Sequence, residues 1–179
     1  MIYICLLRGI NVGGNKRIKM ADLRQLLGNL SLKNVQTILQ SGNVVFESDE
    51  TKRDKLIKDI EASIEDTYGF EVKVMLRTAE EWQAIIDKKP NYDFEVAGNR
   101  LLVVCLDTVP KPDNIKELVD SHTGDEIIHV FEQELFIYYG DGMGKSKLSN
   151  AVLERKLNVT TTARNWNTVI KLQALAEKS

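Results

Sequence analysis

Residues 3–20 read YICLLRGINVGGNKRIKM. The apolar run at residues 2–7 predicts a buried strand. The loop that follows, residues 9–19, is rich in glycine and cations and contains no acidic residue. Apolar residues then recur with helical spacing, at Met20, Leu23, Leu26, Leu27 and Leu30. The stretch therefore predicts a strand and an amphipathic helix that are joined by a basic, glycine-rich loop.

The residues that follow predict a complete small fold. Two β-rich runs, residues 35–39 and 44–46, flank a Gln-Ser-Gly-Asn turn and predict a hairpin. An amphipathic helix then ends at Gly69, and a strand is expected at residues 72–76. The order strand, helix, strand, strand, helix, strand is that of the ferredoxin-like fold, in which two helices cover one face of an antiparallel sheet.

The second half of the chain predicts a similar order of elements. Thr78-Ala79-Glu80-Glu81 is a capping box that opens a helix with Trp82 facing inward, and the polar residues 88–99 form the best linker. A strand at residues 101–106, a helix, a hairpin and two further helices are expected beyond it. Both halves begin with a strand that ends in Cys-Leu, which suggests a duplication. The second copy is expected to replace its last strand with helix.

The predicted fold class is therefore α+β, with two ferredoxin-like (α/β plait) subdomains that carry helices on one face of each sheet. The first subdomain is assigned to residues 1–79 and the second, with an extra C-terminal helix, to residues 100–179. A helix and linker at residues 80–99 connect them. The alternative is one continuous α+β domain.

Composition indicates an ordinary globular protein that needs neither metal nor disulfide. The chain has 179 residues, of which 43% are hydrophobic and 28% charged. Cys5 and Cys105 both lie in apolar runs, as expected of buried free thiols. Arg8 interrupts the first apolar run, so no signal peptide is predicted, and no run is long enough to span a membrane. We predict a cytoplasmic protein without a membrane partner.

Charge is distributed unevenly along the chain. Residues 1–40 contain six Lys or Arg and one Asp, and residues 140–179 contain seven Lys or Arg and three acids. Residues 41–139 contain eleven Lys or Arg and twenty-two acids. If the two ends meet in space, they form a basic face on an acidic protein. If they do not, the charges are scattered and solvated.

The loop at residues 9–19 is the first candidate binding site. Consecutive backbone N–H groups in glycine-rich loops bind anions, and nearby cations add to that attraction. Its spacing excludes the dinucleotide motif G-x-G-x-x-G. The alternative is a strand-to-helix loop in which glycine supplies positive φ. The candidate residues here are Arg8, Asn11, Gly13, Gly14, Lys16 and Lys19.

Three further motifs lie at the ends of predicted elements. In GDGMGKSKL, residues 140–148, Tyr139 stands where the phosphate loop of nucleotide hydrolases needs glycine, so only a generic anion site is indicated. In RNWNT, residues 164–168, Asn165 or Thr168 is expected to cap the last helix, and Trp166 is either a core residue or a stacking surface. The candidate residues in these motifs and in the hairpin turn are Gln40, Ser41, Asn43, Lys145, Ser146, Lys147, Arg164, Asn165, Trp166 and Asn167.

The sequence assigns no catalytic residue, metal or cofactor. His122 and His129 do not have metal-ligand spacing, and two isolated cysteines do not form a zinc site. Ser41 follows Gln40 and precedes Gly42, which is not the nucleophile elbow G-x-S-x-G, so a turn serine is favoured.

Five motifs in order, LLRGINVGG, IKM, ILQSGNVVF, GMGKSKL and RNWNTVIKL, resemble the bacterial family called domain of unknown function 1697. The resemblance runs from Tyr3 to Leu172 and implies two α/β-plait subdomains. It implies no activity and transfers no catalytic residue. This chain departs from the family by having Ile38-Leu39-Gln40 where Tyr-Ile-Gln is usual, and Pro90-Asn91 where Asn-Pro is common.

Three hypotheses for the function follow. The first is a binding module for an anionic, phosphate-bearing small molecule; nucleic acid is less favoured because the pI is about 5.8 and no RNP1 motif is present. The second is an enzyme that acts on a phosphorylated or carboxylated metabolite, with Ser41 or Ser146 taking part. The third is a structural or protein-interaction role, in which the motifs pack the two halves together. The first predicts that the motifs cluster on one side of the molecule.

Overall fold

A computed structural model describes the whole chain, Met1–Ser179. The chain divides into two compact units: Met1–Ala84 together with Lys171–Ser179, and Ile85–Ile170. Each unit contains one four-stranded antiparallel sheet. The sheets lie within the predicted subdomains at residues 1–79 and 100–179, whose limits stay predictions.

The first unit has the predicted ferredoxin-like order. Its elements are β1 (Ile2–Leu7), α1 (Met20–Asn29), β2 (Lys33–Ile38), β3 (Asn43–Glu47), α2 (Arg53–Tyr68), β4 (Val74–Thr78) and the beginning of α3 (Ala79–Asp87). The strands are arranged β2-β3-β1-β4, so that β1 pairs with both β3 and β4. The predicted last strand is displaced by two residues toward the C-terminus.

One face of this sheet and the two helices form the core of the first unit. Alternate residues of β1 enter it because successive side chains of a strand point to opposite faces. The core consists mainly of Tyr3, Cys5, Leu7, Leu23, Leu27, Val44, Phe46, Leu56, Ile60, Ile64, Val74 and Leu76, all less than 6% exposed. Gly69 ends α2 with a φ of +73°, in the left-handed conformation that glycine adopts without strain.

The second unit repeats this architecture. Its elements are β5 (Leu101–Leu106), α4 (Pro112–Asp120), β6 (Ile127–Phe131), β7 (Glu134–Tyr138), a short 3-10 helix (Met143–Lys145), α5 (Asn150–Leu157), β8 (Thr161–Asn165) and the beginning of α6 (Trp166–Ala176). The strand order β6-β7-β5-β8 corresponds strand for strand to that of the first sheet. The chain is therefore an α+β protein of two similar, ferredoxin-like subdomains.

The prediction that the second copy lacks its last strand is wrong. β8 pairs with β5 along its whole length, from Leu106 opposite Thr161 to Leu102 opposite Asn165. The segment was missed because it has no apolar alternation: Thr161 and Thr162 are polar in sequence but 0% and 3% exposed in the structure. Threonine is β-branched and suits a strand when its hydroxyl is satisfied within the fold.

The Cys-Leu match between the halves does not reflect the structural correspondence. Leu6 pairs with Asn43, the first residue of β3, whereas Cys105 pairs with Glu134, the first residue of β7. Cys105 therefore corresponds to Leu6 and not to Cys5. Cys5 belongs to the helix-side core, and Cys105 is buried outside the corresponding core of its own unit. A shift of one residue places a side chain on the opposite face of the sheet.

Both helices that follow a last strand are capped by that strand's final residue. In α3 the predicted capping box is confirmed: Glu81 N–H donates to Thr78 Oγ1 (3.2 Å) and Thr78 N–H donates to Glu81 Oε2 (2.8 Å). In α6, Asn165 Oδ1 accepts from Thr168 N–H (3.0 Å). Trp82 is fully buried, as predicted. None of the helices has the length and apolarity needed to cross a membrane.

Candidate functional site

The glycine loop, residues 9–19, contains a tight turn that accounts for its paired glycines. Asn15 N–H donates to Val12 O (3.1 Å), and the two central residues, Gly13 and Gly14, have φ values of +59° and +81°. Positive φ at both central positions is the signature of a type I′ turn, which favours glycine. The structural explanation of these glycines is therefore sufficient without a ligand.

Asn11 fixes the base of the glycine loop. Its Nδ2 donates to Ile18 O (2.9 Å) and to Gln40 O (2.7 Å), while its Oδ1 accepts from Ile18 N–H (2.9 Å). Its φ of +56° is one that asparagine tolerates better than most residues. One side chain thus ties the two ends of the loop together and attaches them to the hairpin turn that contains Gln40.

The hairpin turn is held by its own polar side chains. Asn43 is fully buried, and its Nδ2 donates to Ile38 O (3.1 Å) and to Ser41 Oγ (2.9 Å). Gly42 has a φ of +76°, and its carbonyl accepts from Leu7 N–H (2.8 Å). Ser41 and Asn43 therefore stabilise the turn, as the favoured interpretation of Ser41 predicts.

The cations of the glycine loop are exposed and are not paired with carboxylates. Lys16 Nζ donates to Glu71 O (2.6 Å) and Arg17 Nε donates to Gly14 O (3.2 Å), and both acceptors are neutral carbonyls. Lys19 is the N-cap residue of α1 and makes no side-chain capping bond. Positive charge is thus concentrated on a segment whose backbone is fixed by Asn11.

A groove of about 580 Å³ lies between the glycine loop, the start of α1, the hairpin turn and the end of α2. It is lined by Asn11, Gly14, Arg17, Ile18, Lys19, Asp22, Gln40 and Tyr68, and we call it the loop groove. Its volume falls in the range of small-molecule sites. Within the first unit, the fold has thus brought together loop cations, amide groups, one carboxylate and one aromatic ring.

Only some of the predicted residues of the first unit line this groove. Those that do are Asn11, Gly14, Lys19 and Gln40, and those that do not are Arg8, Gly13, Lys16, Ser41 and Asn43. Arg8 is half-buried, and its backbone N–H donates to Lys73 O (2.9 Å). Arg17, Asp22 and Tyr68 also line the groove, although they are not among the candidate residues predicted from the sequence. Asp22 and Tyr68 carry no motif, and only the packing of α1 near the end of α2 places them in the groove.

The basic motif of the second unit, residues 140–148, is organised around the half-buried carboxylate of Glu126. Ser146 Oγ donates to Glu126 Oε1 and accepts from Leu148 N–H (2.9 Å). His122 Nε2 lies 3.1 Å from Glu126 Oε2 without the alignment of a hydrogen bond. Lys145 and Ser146 line a pocket of only about 80 Å³, whereas Lys147 lines a neighbouring one of about 330 Å³.

The arrangement of Ser146, Glu126 and His122 does not activate a nucleophile. The serine hydroxyl donates its hydrogen bond to the carboxylate and not to the imidazole. In a Ser-His-acid triad the histidine lies between the serine and the acid, so this arrangement is not a triad. The hydrogen bond from Ser146 holds the pKa of Glu126 below its usual range, although burial opposes that shift. A general base works best with a pKa near the operating pH. Glu126 is therefore a weak base, and the cluster joins residues 122–126 to the loop that contains Ser146.

The RNWN motif, residues 164–167, has structural contacts throughout. Arg164 is 8% exposed and donates from Nη1 to Thr162 Oγ1 (2.9 Å) and to Ala163 O (2.8 Å). Asn165 is the cap of α6, one of the two predicted alternatives. Trp166 is half-buried, so it is not a full core residue, and Lys89 Nζ lies 5.7 Å from its ring centroid.

The predicted linker packs against this motif and against the second sheet. A Cβ atom at Gly98 would lie 2.1 Å from Asn167 Oδ1, so a larger residue at position 98 would require the exposed Asn167 side chain to move. Tyr92 packs 5.8 Å from Tyr138 and 5.9 Å from His129, measured between ring centroids. Burial, with a smaller contribution from Tyr138, raises the pKa of Tyr92 to about 12. The linker is thus fixed by aromatic contacts.

Residues 1–136 match the family model described as protein of unknown function, DUF1697. The chain belongs to the DUF1697 family. The resemblance read from its motifs is therefore confirmed. A solved structure, that of the conserved bacterial protein SP0830 from Streptococcus pneumoniae, is similar to this chain over 98% of both chains, with 27% identity and a TM-score of 0.79. No curated protein matches the chain. Neither similarity assigns an activity to the DUF1697 family.

Proposed function

We propose that this chain is a cytoplasmic binding protein for a small phosphate-bearing molecule, which it holds in the loop groove. The observation that carries the proposal is the presence of two unpaired cations, Arg17 and Lys19, in the same groove as polar groups fixed by the fold. Arginine offers a planar set of donors that matches phosphate oxygens, and lysine adds a point charge.

The fixed backbone of the glycine loop favours binding. Asn11 makes three hydrogen bonds that hold residues 11–18 in one arrangement before any ligand arrives. A ligand therefore does not have to order the segment, and the ordering cost that weakens binding to flexible loops is reduced. The start of α1 adds to the attraction, because the N-terminus of a helix carries a partial positive charge. This end of α1 adjoins Lys19, whose side chain makes no capping hydrogen bond to the helix.

The electrostatics favour a small ligand over nucleic acid. The chain has a net charge of −2, and α1 carries Asp22 in its first turn, at the groove itself. A long polyanion gains most from extended basic surfaces. The prediction that Lys145 and Arg164 join the glycine loop in one site stays a prediction.

Phosphate titration tests the proposal. Two charge-assisted hydrogen bonds of about 2 kcal/mol each correspond to a dissociation constant of about 1 mM for inorganic phosphate. At ten times that concentration the native protein gains about 1.4 kcal/mol, enough to raise the melting temperature by a few degrees. We expect the double variant Arg17→Ala with Lys19→Ala to lose at least tenfold in affinity.

The matched control is Lys58→Ala, which removes an exposed cation on α2 that forms no ion pair and does not line the groove. Phosphate also stabilises proteins non-specifically, because it is excluded from their surfaces. The quantity that tests the proposal is therefore the difference in melting-temperature shift between the variants and the wild-type protein, and not the shift of one protein alone. If phosphate stabilises the double variant and the wild-type protein equally, the loop groove is not an anion site.

A further inference from the structure

Two groups in the loop groove are not accounted for by phosphate binding alone. Asp22 is a carboxylate in the first turn of α1, and Tyr68 is the last residue of α2. An acidic residue near a helix N-terminus stabilises the helix, but inside an anion site it also repels the ligand. A groove that served only to bind inorganic phosphate would bind it more tightly without the Asp22 carboxylate.

Asp22 gives the groove a second kind of polar group. A carboxylate accepts hydrogen bonds only, so it recognises hydroxyl or amino donors on a ligand. Arg17 and Lys19 donate only. The groove therefore presents donors to an anionic group and an acceptor to a group that carries protons.

Tyr68 gives the groove a flat apolar surface. Its side chain is half-buried and stacks with Phe70, with ring centroids 5.9 Å apart and an interplanar angle of 26°. Burial, with a smaller effect from Asp22, raises the pKa of Tyr68 above its ordinary value, so its hydroxyl stays protonated at neutral pH. An aromatic ring with a polar edge of this kind packs well against the face of a sugar or a base.

We infer that the ligand is a phosphomonoester that carries a hydroxylated ring, the chemical class of sugar phosphates and nucleoside monophosphates. Its phosphate lies at Arg17 and Lys19, its ring hydroxyls donate to Asp22, and one face of a ring packs on Tyr68. This inference rests on the proposed function and narrows it. The groove volume of about 580 Å³ suits a molecule of this size better than it suits a bare phosphate ion.

The test compares inorganic phosphate, ribose 5-phosphate and a nucleoside 5′-monophosphate on the full chain by calorimetry. We expect ribose 5-phosphate to bind about tenfold more tightly than inorganic phosphate, through the hydrogen bond to Asp22. A further gain for the nucleotide assigns Tyr68 to the base, and equal binding of the two assigns it to the sugar.

Asp22→Asn gives the sharper result, because its two effects have opposite signs. Inorganic phosphate should bind about two- to threefold more tightly once the repelling charge is removed. Ribose 5-phosphate should bind about threefold more weakly, because the neutral amide oxygen of asparagine is a poorer hydrogen-bond acceptor than the carboxylate. Tyr68→Leu should leave inorganic phosphate unchanged and weaken the phosphomonoesters. The matched control Asp66→Asn removes an exposed carboxylate of α2 that does not line the groove, and should change neither.

The outcomes separate this inference from the proposed function. If inorganic phosphate binds but ribose 5-phosphate binds no better, and Asp22→Asn strengthens both, the inference is wrong and the phosphate site remains. If none of the three probes binds, both are wrong. A thermal scan of each variant without ligand confirms that the protein is folded.

Discussion

Gly42 is the position where the structure makes the firmest prediction about stability. Its φ of +76° lies in the left-handed region, where an alanine costs about 1 kcal/mol. In addition, a Cβ atom at this position would lie 2.7 Å from Leu7 Cβ and 2.9 Å from Ile10 Cδ1. Normal carbon contacts are about 3.5–4.0 Å, so one of the neighbours has to move.

The neighbours of Gly42 have little room to move. Leu7 is 0% exposed, it lies in the core of the first unit, and its N–H donates to Gly42 O. Ile10 is 1% exposed. Overpacking of this kind costs about 1–3 kcal/mol, so we expect Gly42→Ala to lower the free energy of unfolding by about 2–4 kcal/mol in total. A protein with about 5–15 kcal/mol of stability would show this loss clearly.

Gly9→Ala is the matched control for this substitution. Gly9 has a φ of +68° but no heavy atom within 4 Å of the position of an added Cβ, so the variant carries the backbone strain without the collision. We expect it to lose only about 1 kcal/mol. The difference between the two variants therefore isolates the steric cost.

Urea denaturation followed by tryptophan fluorescence measures this difference. In a Trp166→Phe background the remaining tryptophan, Trp82, is fully buried in the first unit and reports on its unfolding. Both glycine variants are made in that background. If the free energies of unfolding of Gly42→Ala and Gly9→Ala agree within about 0.5 kcal/mol, the steric reasoning is refuted.

Two further predictions concern the helix caps. Hydrogen bonds from Arg53 and from Thr78 N–H hold the pKa of Glu81 below its usual range, although burial, the largest single effect, opposes them. A lowered carboxylate pKa stabilises the fold at neutral pH, and this contribution is lost as pH falls through the folded-state value. The difference in melting temperature between wild type and Glu81→Gln should therefore be largest near pH 7 and shrink progressively as the pH falls below 4.5, the ordinary pKa of the group; a constant difference would contradict this. Asn165→Ala should lower the free energy of unfolding, measured by urea titration, by about 1 kcal/mol. Asn165→Asp keeps the oxygen that accepts from Thr168 and should stay within about 0.5 kcal/mol of wild type. Equal losses in the two variants would mean that the cap does not act through that oxygen.

Local sequence determined most of the fold. The apolar run of β1, the stop at Gly69 and the capping box at Thr78 are each settled within a few residues, because hydrogen bonds and backbone conformation at these points involve near neighbours. The same local signals, taken in order, predicted the ferredoxin-like arrangement of the first unit.

Tertiary structure decided what depends on partners distant in sequence. β8 is a strand because β5 supplies its hydrogen bonds, and its Thr-rich sequence gives no apolar alternation that would reveal this. The correspondence of Cys105 with Leu6, one residue away from the apparent match with Cys5, is fixed by strand register and not by residue identity.

The loop groove shows the same division. From the sequence alone, the glycine loop was predicted to be basic and rich in positive φ, and Asn11 was named among its candidate binding residues. Only the fold placed Asn11 Nδ2 within 2.7 Å of Gln40 O, 29 residues away, and set Asp22 and Tyr68 beside Arg17 and Lys19. Charge and turn preference are properties of a segment, whereas a groove is formed by several segments, and their packing determines which side chains share it.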